Sequence, residues 1–221
     1  MNSDTGKNGF VIRAYVFTVS IAVFFVMLFL VQSGKAAVFD DAVRFFFYDM
    51  RSGALTSAAK AMTYLGNWQS VTVLCIILLI IKPTRIRYGI PVSAGAISVT
   101  VINKIIKNLV RRERPDQIYH LIKQGGYSFP SGHSITSMFV FGMLIYLVRV
   151  NVQNRKAANV LTVIIAVPMV CIGLSRIYLG VHYPSDVLAG WALGIAVMMV
   201  VIEIADRLRR CSHEPSPQER S

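Results

Sequence analysis

Six apolar stretches dominate the chain, at Val11–Val31, Leu65–Ile81, Tyr88–Ile106, Ile135–Val148, Ala157–Leu174 and Val187–Ala205. Most approach the ~20 residues that a helix needs to cross ~30 Å of hydrocarbon. A length of 221 residues would otherwise suggest one or two soluble domains, but 54% hydrophobic and only 15% charged residues argue for lipid as the solvent. The expectation is an all-α, polytopic integral membrane protein with six transmembrane helices. The second and fourth stretches are short, and their polar flanks are expected to extend those helices beyond the lipid core.

Val11–Val31, with Lys7 and Arg13 at its start, resembles the charged opening of a signal peptide. Its apolar run is too long for that, and Gly34-Lys35-Ala36-Ala37 is a poor cleavage site, so a retained anchor is expected. Ala36–Met50 mixes Val38, Val43, Phe45, Phe46 and Phe47 with Asp40, Asp41, Arg44 and Asp49. That pattern suits an interfacial amphipathic helix or an ordinary packed loop helix, and the residues alone leave both open. The residues after Arg210 are polar, and 211–221 is expected to be a disordered tail behind a domain spanning 11–210, with 1–10 a cytoplasmic N-terminal tail.

A formal charge of +12 raises the question of nucleic acid. The basic residues lie between apolar spans and form no solvated face, so no nucleic-acid partner is expected and anionic lipid headgroups are the natural ones. Cys75, Cys171 and Cys211 are scattered and make neither a disulfide framework nor a metal-ligand spacing. With both termini cytoplasmic, twelve of the 23 Lys and Arg lie inside. Setting aside Lys107, Arg114 and Arg176 as site residues leaves twelve against eight. The short 82–87 and 149–156 loops carry no acid, so the positive-inside rule favours cytoplasmic termini.

Three blocks stand where spans meet loops: Lys107-x6-Arg114-Pro115, Pro130-Ser131-Gly132-His133 and Ser175-Arg176-x5-His182-x3-Asp186. An even number of crossings separates them, so all three face one side of the membrane. Lys107 and Arg114 are seven apart and would share a face of one helix, which Pro115 would end. Ser131 is a candidate N-cap for the fourth span, and Gly132 lets backbone N–H groups approach an anion at a helix N-terminus. Asp186, four residues beyond His182, can accept the Nδ1 proton and leave Nε2 as a nucleophile. Together the blocks offer three fixed cations, two imidazoles, a hydroxyl and a carboxylate, an inventory that suits phosphoryl transfer. Read alone, the first block is also what a basic membrane edge looks like, with Arg111 and Arg112 beside it. The second is also a simple capping motif, and Asp186 also suits a helix N-terminus.

Other residues are given quieter roles. Trp68 and Tyr183 read as interface anchors, Tyr119 and His120 as surface loop or headgroup contacts, and Glu203 as a group that pairs or snorkels.

In order and spacing the blocks resemble the signature of the type 2 phosphatidic acid phosphatase superfamily, bacterial lipid phosphatases and undecaprenyl-diphosphatase-like enzymes among them, at every defined position. The resemblance implies His182 as the nucleophile of a phosphohistidine, Asp186 as its orienting partner, and His133 as acid to the leaving oxygen. It implies phosphate binding by Lys107, Arg114, Ser131, Gly132, Ser175 and Arg176, and no metal or other cofactor. The blocks themselves hold one carboxylate and lack the oxygen cluster that Mg²⁺ or Ca²⁺ prefers. The expected substrates are lipid phosphates or diphosphates such as phosphatidate, phosphatidylglycerophosphate or undecaprenyl diphosphate, met at the outer face of a plasma membrane. A lipid phosphotransferase, or a lipid transporter or scaffold that keeps the fold, are the alternative readings.

Overall fold

Helices built from these apolar runs account for nearly all of the regular structure. The computed structural model describes residues 3–82 and 85–211. In chain order they form α1 (Ser3–Gln32), α2 (Ala37–Asp49), α3 (Gly53–Leu65) and α4 (Trp68–Ile80). A π-helical turn (Arg85–Gly89) leads into α5 (Ile90–Val110), and a 3-10 turn (Gln117–Tyr119) interrupts the following loop. Then come α6 (Gly132–Asn151), α7 (Arg155–Tyr178) and α8 (Pro184–Cys211). The described residues contain no strand.

The chain is a multi-pass, all-helical membrane protein. Asn8–Gln32, α5, α6, α7 and Pro184–Arg207 are each long and apolar enough to cross a bilayer, while α3 and α4 qualify only as a pair bent by 44°. The stretch expected to span at Leu65–Ile81 is therefore the second half of a bent helix pair that begins at Gly53. Packing explains the break: a Cβ on Gly66 would lie 2.7 Å from Ile172 Cγ2 and 3.1 Å from His133 Cδ2. Asn67, in extended backbone, turns its side chain to His133 instead of capping α4. The fourth span does gain its polar flanks, as expected, and runs from Gly132 to Asn151.

Residues 1–10 are helical from Ser3, and Cys211 ends α8; the rest of the expected tail, 212–221, lies outside the described residues. Ala36–Met50 is a helix with two characters. Asp40 and Tyr48 are buried, while Val38 and Phe46 stay exposed at 83% and 62%.

The core runs between α5, α6 and α8 around Val92, Val99, Phe129, Ile135, Phe139 and Met143. Hydrophobic burial does not drive helices together in lipid, so close packing and polar contacts must. Gly190 and Gly194, four apart on α8, supply that approach. A Cβ there would stand 2.8 Å from the Ser131 carbonyl oxygen and 2.7 Å from that of Ile135. Far from the three blocks, Arg13 bonds Glu203 at 2.8 Å and Asp206 at 3.2 Å, and Tyr146 donates to Asp206 at 2.6 Å. Glu203 thus pairs, as read from the sequence, and ties α1 to the last helix.

Candidate active site

The three blocks converge at one end of the bundle. The Ser131 N–H donates to the Asp186 carbonyl at 3.0 Å, joining the second block to the third. Lys107 Nζ donates to the carbonyls of Tyr127 and Ser128, joining the first to the loop that leads into the second. Gly180, at φ +76°, lets the chain reverse between α7 and His182, and a side chain there would strike the Tyr119 carbonyl.

His182 is the centre of the cluster and only 2% exposed. Its Nδ1 lies 3.3 Å from Asp186 Oδ2, and its Nε2 lies 3.1 Å from an Arg114 amino group. A carboxylate only accepts, so Nδ1 carries the proton and Nε2 presents its lone pair. Burial pushes the imidazole well below the usual histidine range, and the charges of Arg114, Lys107 and Arg176, with the His133 ring, push it further. A neutral imidazole facing fixed cations is a nucleophile set against an anion site.

The geometry of Lys107 and Arg114 differs from the shared helical face expected of them. Helix α5 ends at Val110, where Arg111 adopts a left-handed φ of 51° and its N–H closes on the Lys107 carbonyl. Arg114 lies in the loop and donates to the carbonyls of Gly125, Gly126, Tyr127 and Val181. Ending the helix early frees the arginines to reach three different surroundings.

Arg176 is buried, with Nη1 on Thr63 Oγ1 at 2.7 Å and Nη2 on Gln124 Oε1 at 2.6 Å. Its Nε has no partner among the described residues. Such a buried orphan donor costs about 1–3 kcal/mol, which an anion's oxygen would relieve. Ser131 caps α6 as expected, accepting from the Ser134 N–H at 3.4 Å and the Ser134 hydroxyl at 2.8 Å. Gly132 packs against Asn103, whose Nδ2 would stand 2.8 Å from an added Cβ. His133 Nε2 is 2.8 Å from Asn67 Oδ1. Ser175 is buried and its hydroxyl donates back to the Ile172 carbonyl at 2.7 Å, so its side chain is engaged within α7.

Several residues assigned elsewhere from sequence belong here. Arg112, read as a basic membrane edge, bridges Asp186 and Asp40 at 2.7 Å each. Burial pulls this guanidinium down, but Asp186 and Asp40 outweigh that and hold it above the ordinary arginine value. Tyr183, read as an interface anchor, is wedged 4.0 Å beneath the Arg112 guanidinium, with Arg44 at 5.7 Å. Tyr119 stacks on Tyr48, and His120 Nε2 meets the Pro115 carbonyl. The signal for Asp40 was its spacing: Asp40, Arg44 and Tyr48 are four apart and share the inward face of α2. Thr63, Asn67 and Gln124 carried no such signal.

Between α4 and α5 a cavity of about 550 Å³ is walled by Val71, Cys75, Ile97 and Val101, with Gly132 and His133 among its lining.

Comparison with known proteins shows what the chain is similar to. Residues 88–210 match the family model described as PAP2 superfamily. Phosphatidylglycerophosphatase B of Bacillus subtilis is 35% identical over 111 residues, 50% of this chain and 54% of that protein. A Mycobacterium tuberculosis protein named decaprenylphosphoryl-5-phosphoribose phosphatase is 36% identical over 167 residues, 72% of this chain and 85% of that one. Among solved structures, the transmembrane PAP2-type phosphatidylglycerolphosphate phosphatase from Bacillus subtilis superposes with a TM-score of 0.81 at 25% identity. The superposition covers 89% of this chain and 98% of that one.

Proposed function

The chain belongs to the PAP2 superfamily, and from that premise we propose that it is a membrane phosphatase that hydrolyses lipid phosphate or diphosphate esters through a phosphohistidine at His182. The observation that carries this reading is the setting of His182. Its Nδ1 is held by Asp186, and its Nε2 faces Arg114 with Lys107 and Arg176 close by.

In this mechanism the substrate phosphate rests among Lys107, Arg114 and Arg176 and at the N-terminal N–H groups of α6 from Gly132 onward, while the Ser131 N–H and the Ser175 hydroxyl are held by the Asp186 and Ile172 carbonyls. As the Arg114 Nη1 proton that His182 Nε2 accepts turns to the phosphate, Nε2 attacks phosphorus; the P–N bond forms as the P–O bond to the leaving lipid group breaks. The departing oxygen takes the Nδ1 proton of a His133 imidazolium, protonated beside the bound phosphate while its Nε2–H donates to Asn67 Oδ1. His133 then accepts a proton from water, whose oxygen displaces His182 and releases phosphate. Asp186 stays ionised and stabilises the positive ring of the intermediate. No step calls for a metal, and the two nearby carboxylates, Asp186 and Asp40, are already engaged by Arg112, His182 and Ser185.

The substrate belongs to the lipid phosphates, with phosphatidate, phosphatidylglycerophosphate and undecaprenyl diphosphate as the candidates. The α4–α5 cavity suits lateral access, with the phosphate at His133 and the chains left in hydrocarbon. In a plasma membrane the site faces outward and both termini are cytoplasmic. The acid-free basic loops support this, and Tyr88 bonds Asn151 at 2.6 Å, so the Arg85–Gly89 turn lies beside the end of α6.

The test is turnover of ³²P-labelled dioleoyl phosphatidate in mixed micelles with excess EDTA, quenched in alkaline SDS. The expected result is a base-stable, acid-labile phosphoenzyme that His182→Ala abolishes. Turnover lost to EDTA and restored by Mg²⁺, or a phosphoenzyme that persists in His182→Ala, refutes the mechanism.

A further inference from the structure

Asp40 is a fully buried carboxylate on α2, outside residues 88–210. Withdrawing a carboxylate from water costs several kcal/mol unless its oxygens are well bonded. Here they are. Asp40 Oδ1 accepts the Ser185 N–H at 2.8 Å, and Oδ2 accepts the Ser185 hydroxyl and the Arg112 guanidinium, each at 2.7 Å. A contact that only docked α2 could be apolar. This one instead ends on the carboxylate behind His182.

The Arg112 guanidinium is a planar fork, and each arm is occupied. Nη2 holds Asp40, while Nη1 donates to both Asp186 Oδ1 and Ser185 Oγ at 2.7 Å. The Tyr183 ring closes one face of the fork at 4.0 Å. The second oxygen of Asp186 takes the Tyr183 N–H at 2.9 Å and His182 Nδ1 at 3.3 Å. Both oxygens of Asp186 are therefore committed, and its carboxylate cannot rotate without breaking the link to Arg112. Three charges and one imidazole form a row: Asp40, Arg112, Asp186, His182.

We infer that Arg112 and Asp40 are positioning residues for the reaction, with Asp40 bracing Arg112 so that Arg112 holds Asp186 in register with His182. The inference rests on the reading of His182 as nucleophile. It makes α2 a working part of the site. Without Arg112, two buried carboxylates would be left near each other with no cation between them. They would share a proton, and Asp186 would lose its hold on the His182 tautomer.

The experiment is steady-state turnover of dioleoyl phosphatidate in mixed micelles by Arg112→Met, Arg112→Lys, Asp40→Asn and the double variant Arg112→Met with Asp40→Asn. Each is checked for a monodisperse peak in detergent, and His182→Ala is the reference. Arg112→Met is expected to lower kcat roughly 10–100-fold, the range for losing an outer partner that orients a reacting ring. KM should stay near wild type. Arg112→Lys keeps the charge and should recover much of the loss. The double variant should be faster than Arg112→Met alone, because one of the competing carboxylates is gone.

A monodisperse Arg112→Met with wild-type kcat, or a double variant slower than Arg112→Met, overturns the inference while leaving the nucleophile in place. If Arg112→Met does not fold, Asp40→Asn and Arg112→Lys decide: wild-type kcat in both overturns it, and a kcat loss at constant KM in Asp40→Asn upholds it. Turnover by His182→Ala would instead refute the underlying mechanism.

Discussion

Gly190→Ala tests whether the α6–α8 crossing holds the second and third blocks in register. The added Cβ would sit 2.8 Å from the Ser131 carbonyl oxygen, 2.9 Å from Ser134 Cβ and 3.3 Å from the Ile135 nitrogen. Two of these are backbone atoms in the first turn of α6, so no side-chain rotation relieves them. Reaching an ordinary 3.4 Å contact requires α6 to retreat by the difference from 2.8 Å, about 0.6 Å. Overpacking of this kind costs roughly 1–3 kcal/mol. The retreat also draws Ser131, Gly132 and His133 away from His182, and a ~1 Å misplacement of reacting groups costs about 10²-fold. The expected result is a kcat on dioleoyl phosphatidate reduced by roughly 10–100-fold, with a lower melting temperature in detergent. Gly53→Ala is the control, since nothing lies within 4 Å of its new Cβ. Wild-type kcat and melting temperature in Gly190→Ala would refute the claim that this contact sets the site.

His133→Ala should lose roughly 10²–10⁴-fold on a lipid ester, the range for a general acid, but far less on p-nitrophenyl phosphate, whose leaving group needs little protonation; equal losses would contradict the assignment. Because the His182 pKa is depressed in the folded protein, the unfolded chain binds the extra proton below pH ~6.5, so stability is intact above that pH and falls as pH drops. As pH falls below ~6.5, wild type should lose stability faster than His182→Gln, read as diverging melting temperatures; parallel curves would contradict the buried neutral imidazole. In a background lacking native cysteines, Lys123→Cys and Gln153→Cys, both at exposed positions, should label oppositely with an impermeant thiol reagent. Lys123→Cys should label on intact cells and Gln153→Cys only after lysis, and the reverse would place the site in the cytoplasm.

The apolar runs alone settled the fold class, because a helix that long and that apolar has few ways to satisfy its backbone outside a bilayer. Motif spacing and the even number of crossings likewise place the three blocks on one side, and the fold brings them together. What sequence could not decide was partnership. Arg111, Arg112 and Arg114 are chemically alike and nearly adjacent, yet a left-handed turn at Arg111 sends one to solvent, one to Asp40 and Asp186, and one to His182. The break at Gly66-Asn67 was equally hidden, since the apolar pattern begins only at Leu65 and the helix before it, packed with Gly66 against Ile172 and His133, carries no such pattern. Local pattern reports which face of a segment is apolar. Which buried charge meets which, across 72 residues from Asp40 to Arg112, depends on where the bundle places each helix end.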